Sequence, residues 1–264
     1  MQGRLGLVVM NVKLAIWIAV TISLIVAGSD ADAAPVFASL PSDFVDLHSV
    51  APQIVIDMRY ATDHDFAGHP MPGYEAAKCL LTRPTALALS SIESDLAPFG
   101  LSLKVYDCYR PQRAVDFFVR WAADARDQKM KKEFYPHIDK ADLIRLGYIA
   151  SPSAHSRGST VDLTIVPLPY WTATYDPHQP LVACDAPASL RFADGSLDMG
   201  TGYDCFDPKA NTHAAGIIGQ ERANRMLLAT EMIAHGFQPY KYEWWHFTLK
   251  NEPYPDTCFD APIR

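Results

Sequence analysis

The chain has 264 residues, 49% of them apolar and 20% charged, with a formal net charge of −7. That length suits one large domain or two small ones with a sizeable core. The acidic balance, with no basic run against it, argues against a nucleic-acid partner and favours a small or zwitterionic substrate.

Arg4 and Lys13 precede an uncharged apolar run from Leu14 to Ala27, and Ala31-Asp32-Ala33 follows as a small-x-small cleavage site. The pattern reads as a secretory signal peptide over residues 1–33, leaving a domain at 34–264. The run is shorter than the ~20 residues that span a bilayer, and no Cys lies at the cleavage site to carry a lipid. The expectation is a periplasmic or secreted protein with no membrane attachment after cleavage. In such a compartment Cys79, Cys108, Cys184, Cys205 and Cys258 should pair where geometry permits, leaving at least one over. No Cys-x-x-Cys spacing suggests a metal cluster. Cys184 and Cys205 flank one loop-rich stretch and form the expected bridge.

Residues 35–55 read as an extended arm, and Ile54–Tyr60 as a strand that turns away at Asp63–Gly68. Pro84 to Leu96 has helical spacing with Pro in the first turn and Gly100 beyond the end. Leu101–Asp107 alternates apolar and polar residues, as a strand does. Pro111 opens a second helix, with Val115, Phe118, Val119 and Ala122 on one face, and a shorter helix is expected over Ala141–Leu146. Val161–Val166 is a strand. Residues 167–200, rich in Pro, form a long irregular insert. A third helix spans Gln220 to His235, with Met226 and Ile233 on its expected buried face and Gly236 as its stop. The last strand carries Glu243 and His246. Helices and strands mix without a regular βαβ period, so the fold class is α+β in one domain.

Three stretches carry chemistry. Ser153-Ala154-His155-Ser156-Arg157-Gly158 precedes Asp162 at the start of an otherwise apolar strand, and Glu243-Trp244-Trp245-His246 lies far downstream. A lone histidine is usually packed or at the surface, but an unpaired Asp in an apolar strand needs a cation or donors. Two neutral imidazoles and one carboxylate make a sufficient catalytic zinc site with its fourth position open. His155, Asp162 and His246 are that set, and Glu243 is the general base for a water. On a regular strand, however, Glu243 and His246 would face opposite ways. They converge only if the chain bends or if Glu243 precedes the strand. In Asp107-Cys108-Tyr109-Arg110-Pro111, Arg110 fits two roles: ion-pair partner of Asp107, or electrophile facing a developing oxyanion.

Together these motifs resemble the zinc D-alanyl-D-alanine dipeptidases of the vancomycin-resistance type. The same order holds for Asp57-Met58-Arg59-Tyr60-Ala61-Thr62 and Met199-Gly200-Thr201-Gly202-Tyr203-Asp204. The resemblance implies one Zn²⁺ on His155, Asp162 and His246, with Glu243 as base and Arg110 as stabiliser of the tetrahedral intermediate. It also implies a substrate pocket lined by Tyr60, Ser153 and Asp204, with Asp204 taking the substrate ammonium. The implied fold is a central antiparallel sheet flanked by helices, of the hedgehog/D,D-peptidase-like kind. The expected substrate is a small D,D-dipeptide, used in recycling or scavenging of cell-wall material. A zinc D,D-carboxypeptidase trimming peptidoglycan stems is the second reading. A non-catalytic binding module is a third, against which the retained Glu243 speaks. Asp65, Cys108 and the 167–200 insert depart from the family pattern.

Overall fold

A computed structural model describes Gly3, Val36, Phe37 and residues 39–264. Apart from Gly3, the signal-peptide segment lies outside the described residues. In chain order the strands are β1 (Val36–Phe37), β2 (Phe44–Asp46), β3 (Val55–Ile56), β4 (Leu80–Thr82), β5 (Leu101–Asp107), β6 (Thr160–Pro167), β7 (Phe237–Pro239), β8 (His246–Leu249) and β9 (Cys258–Phe259). The helices are α1 (Arg83–Leu96), α2 (Gln112–Ala123), α3 (Lys131–Phe134) and α4 (Gly219–Ala234).

The centre is a five-stranded sheet in the order β3-β5-β6-β8-β7. It is antiparallel except at one edge, where β3 runs parallel to β5, so the sheet is mixed rather than wholly antiparallel. β2 pairs with β4, and β1 with β9, in two small sheets beside it. The expected extended arm is therefore only partly extended and paired, and a 3-10 turn interrupts it at Leu47–Ser49. The expected strand over Ile54–Tyr60 shrinks to Val55–Ile56, because the chain coils into a 3-10 turn at Arg59–Ala61.

One register shift decides where the chemistry sits. Down β5 and β6 the pairs run Lys104 with Thr164 and Val105 with Leu163, and then a bulge at Tyr106 sets Asp107 opposite Asp162. Asp162 in turn faces His246 on β8. A bulge places two residues against one and re-aims the side chains beyond it. The result is a row of Asp107, Asp162 and His246 across three neighbouring strands.

Alternation along β5 does not mean a solvated face. Ser102 and Lys104 are as buried as Leu103 and Val105: Ser102 donates to Glu93 of α1, and the 167–200 insert folds back over Lys104. Lys104 bonds the carbonyl of Asp194 and pairs with its carboxylate, which also accepts from Tyr106. The helix at Ala141–Leu146 does not form; only a 3-10 turn, Lys140–Asp142, is present there, and α3 forms upstream instead. α4 turns a different face to the core from the one expected. Met226 is 60% exposed and Ile233 47%, while Asn224, Arg225, Leu228 and Met232 are buried. The Arg225 guanidinium is held by the carbonyls of Met199, Lys209 and Asn211, and that demand rotates the helix. Cys79 bonds Cys108 and Cys184 bonds Cys205, the latter as expected, leaving Cys258 buried and free.

Gly158 ends the His155 turn at φ +80°, where an added Cβ would lie 2.2 Å from Cζ of Phe44. Gly158→Ala should cost ~2 kcal/mol or more from the left-handed backbone and the clash. Thermal denaturation checks this; an unchanged melting temperature would show that the Phe44 ring gives way freely.

Candidate active site

His155 sits in a 3-10 turn, Ala154–Arg157, whose start is capped by the Ser153 hydroxyl accepting from the His155 N–H at 3.3 Å. Its Nδ1 donates to the Cys108 carbonyl at 2.8 Å. That bond fixes the tautomer and leaves the Nε2 lone pair facing inward. His155 Nε2, His246 Nδ1 and Asp162 Oδ1 then form a triangle with edges of 3.2, 3.3 and 3.1 Å. A tetrahedral ion with bonds of about 2.0–2.1 Å needs edges of about 3.3–3.4 Å. Asp162 Oδ1 is buried without a hydrogen-bond donor, so lone pairs converge there on a space that a cation satisfies. The donor set of two imidazoles and one carboxylate fits a divalent metal of the zinc type.

Glu243 resolves the parity difficulty by preceding β8 on a turn, its carbonyl accepting from the His246 N–H at 3.4 Å. This brings Glu243 Oε2 to 3.5 Å from His246 Nδ1. Arg110 takes the first of the roles open to it, as ion-pair partner of Asp107. Its Nε and Nη2 hold Asp107 Oδ2 at 2.9 and 2.8 Å, and Nη2 also lies 3.6 Å from Asp162 Oδ2. The guanidinium lies over the rings of Tyr60 and Phe118. Tyr60 donates to Asp204 Oδ2 at 2.7 Å. Tyr60, Arg110, Phe118, Ser153, His155, Asp162, Asp204, Glu243 and His246 all line one cavity of about 500 Å³.

Sequence reasoning missed two supports. Tyr203 donates to Asp162 Oδ2 at 3.3 Å; it lay inside the Met199–Asp204 motif and could have been found there. Tyr74 donates to Asp107 Oδ1 at 2.6 Å, and no spacing pattern marks it.

Burial sets the electrostatics. It pushes the Asp162 carboxyl up, but the His155 and His246 imidazoles outweigh it and hold the group below the usual carboxylate range. Burial lowers His246 despite Asp162, favouring the neutral, ligating form. Glu243 is pushed well above its ordinary value by burial, then by Asp162 and Asp204. Asp204 rises to about 8 through burial and the Asp162 charge, with Tyr60 opposing.

A family model described as D-ala-D-ala dipeptidase, Peptidase M15, matches residues 41–168 and 186–264. The chain belongs to that family. It is 39% identical over 208 residues to the D-alanyl-D-alanine dipeptidase of Enterococcus faecalis, spanning 78% of this chain and 91% of that protein. It is 38% identical over 225 residues to the protein of that name from Streptomyces coelicolor, spanning 85% of this chain and 100% of that one. The Enterococcus faecium protein is 36% identical over 209 residues, spanning 79% and 92%. The family match breaks within the insert, between residues 168 and 186.

Asp204 makes stability depend on pH. Between about pH 4, where an unfolded Asp titrates, and about 8, its folded value, the native state keeps a proton that the unfolded chain has lost. Stability therefore falls as pH rises through this window. Asp204→Asn should raise the melting temperature of the metal-free protein at pH 8 by ~2–4 °C or more, as ~1 kcal/mol does in a domain of this size. The gap should close toward pH 5; a pH-independent gap would mean that Asp204 is ionised throughout.

Proposed function

We propose that the chain is an exported, zinc-dependent dipeptidase that hydrolyses D-alanyl-D-alanine. The observation that carries this reading is the convergence of His155, Asp162 and His246 beside Glu243, in a cavity that Asp204 also lines. The relatives' shared name supports the substrate. The sequence pattern of residues 1–33 supports export, which suits recycling of cell-wall dipeptides outside the cytoplasm.

His155, Asp162 and His246 would hold the zinc, and bound there it supplies Lewis acidity to the scissile carbonyl and lowers the pKa of a water. Glu243 accepts the attacking water's proton and passes it to the leaving amine. Burial raises its proton affinity, and a cation beside it would lower that affinity again. Arg110, kept in place by Asp107, offers its guanidinium to the oxygen that gains charge. Asp204, oriented by the Tyr60 hydroxyl, pairs with the substrate ammonium and sets the peptide bond between Glu243 and Arg110. Phe66, Phe118 and Phe206 line the same cavity, which limits water and strengthens each charge interaction.

Incubating the mature protein with D-Ala-D-Ala, and separately with an N-acylated D-Ala-D-Ala peptide, tests the substrate. Chelator-sensitive release of D-Ala from the free dipeptide is expected; release mainly from the acylated peptide would transfer the assignment to a carboxypeptidase. Glu243→Gln should retain zinc and lose ~10²–10⁴-fold in kcat, whereas His155→Ala should lose zinc and activity together. A Glu243→Gln enzyme with near-normal turnover would remove the base assignment. Asp204→Asn should raise KM for the free dipeptide more than for the acylated peptide, and equal effects would end its role in ammonium recognition.

A further inference from the structure

Both disulfides end beside a group that the proposed chemistry uses, one next to the Arg110 segment and the other next to Asp204. Cys108 follows the last residue of β5, where the chain leaves the sheet toward Arg110. Its carbonyl accepts the Nδ1–H of His155, and it stands between Asp107 and Arg110, which bond each other. Past Asp107 no ladder pairing holds the chain. Besides the Arg110 N–H to the His155 carbonyl at 3.3 Å, the Ser156 hydroxyl to the Arg110 carbonyl at 2.9 Å and the Tyr109 hydroxyl to the Ala261 carbonyl at 3.0 Å, it is tied by the Cys79–Cys108 bond, the one covalent link, and the adjacent Tyr109 N–H to the Leu80 carbonyl at 2.9 Å. Cys79 is anchored in turn, its carbonyl accepting from Leu47 N–H at 2.8 Å.

Beside the other bridge, Asp204 is the one described non-glycine residue with positive φ, at 56°. A left-handed backbone persists at such a residue only where its surroundings over-determine it. Residues 200–207 form no helix or strand. The next residue, Cys205, is bonded to Cys184. The Cys184 carbonyl accepts from Gly202 N–H at 2.8 Å, and its own N–H donates to the Glu133 carbonyl at 2.9 Å. Phe206 N–H donates to the Phe134 carbonyl at 2.8 Å. The loop carrying Asp204 is thus clamped on both sides of it. Cys184 lies in the stretch that the family match leaves out, so this tether comes from the chain's own insert.

We propose that the two disulfides are positioning devices with separate roles. Cys79–Cys108 holds the Arg110 segment and the carbonyl that orients His155, while Cys184–Cys205 holds Asp204 at the ammonium end. The proposal rests on the dipeptidase reading for its kinetic consequences, but not for its effect on metal affinity. Catalytic groups must be held within ~0.5 Å of their productive place, and a misplacement of ~1 Å can cost ~10²-fold. Loss of the first bridge therefore lowers kcat and zinc affinity. Loss of the second raises KM and leaves zinc in place.

The test uses zinc-loaded mature protein and two double variants, Cys79→Ala with Cys108→Ala and Cys184→Ala with Cys205→Ala. Measured quantities are kcat and KM for D-Ala-D-Ala, zinc affinity by competition with a chromogenic chelator, and the melting transition. The Cys79/Cys108 variant should lose ~10-fold or more in zinc affinity, the usual scale for an outer contact to a metal-bound histidine, together with kcat. The Cys184/Cys205 variant should gain ~10-fold or more in KM, with zinc affinity within ~2-fold of the parent. Folded variants that keep all three parameters, or that lose the same parameter equally, overturn the proposal. Where a variant does not fold, a phosphine reductant applied to the folded parent decides. It opens each bridge to two thiols and becomes its oxide, and unchanged kcat, KM and zinc affinity after full reduction again overturn the proposal. A parent that cleaves no dipeptide would sink the functional reading, while the chelator competition would still decide the role of Cys79–Cys108.

Discussion

The constraint on which the rest of the site depends is the Asp162 carboxylate, buried in the sheet with an oxygen facing two imidazole nitrogens and no donor. Burying such an oxygen unpaired is costly, and removing its neighbours would only worsen the imbalance. Asp107, Asp204 and Glu243 are buried nearby, and Arg110 is already engaged by Asp107. A cation held by these three side chains would bring the local charge toward balance. The bulge that aligns Asp107 with Asp162, the carbonyl that fixes the His155 tautomer and the turn that brings in Glu243 each serve that one arrangement.

Much of the site was legible because its residues break local rules. An Asp opening an apolar strand and a His held among small residues and glycine are costly without a purpose, and the family motifs assign each a role. The fold was legible where hydrophobic period and stop signals agree, as in α1, β5 and β6. It failed where polar groups take core positions. In α4, helical spacing identifies Met226 and Ile233 as a stripe, but Arg225 and Asn224 are buried because unpaired loop carbonyls need donors. Those carbonyls belong to residues distant in sequence, so no local window contains the information. The bulge at Tyr106 is similar: it shows itself only when β6 is laid beside β5.

The insert was expected as irregular chain near the site, and its structural task is now specific. Its Asp194 accepts from Tyr106 and pairs with Lys104 and Arg59. Tyr106 stacks on Tyr203, ring centroids 4.2 Å apart, and Tyr203 donates to Asp162. A continuous set of contacts therefore runs from the insert through two tyrosines to the central carboxylate. Covering the sheet on that side also keeps water from Lys104, whose charge is tolerable only because carboxylates surround it.

Selectivity follows from the same burial that raises Asp204. On the proposed reading, a buried carboxyl with Tyr60 as its donor is costly to ionise, and an arriving ammonium would offset that cost by pairing with it. A substrate whose amine is acylated brings no such charge and leaves Asp204 either protonated or unpaired. Sites built around a buried polar group reject analogues lacking its partner far more strongly than apolar pockets reject a change in size. On that reading the free amino terminus is the feature this cavity would read, and a short, unblocked dipeptide would satisfy it.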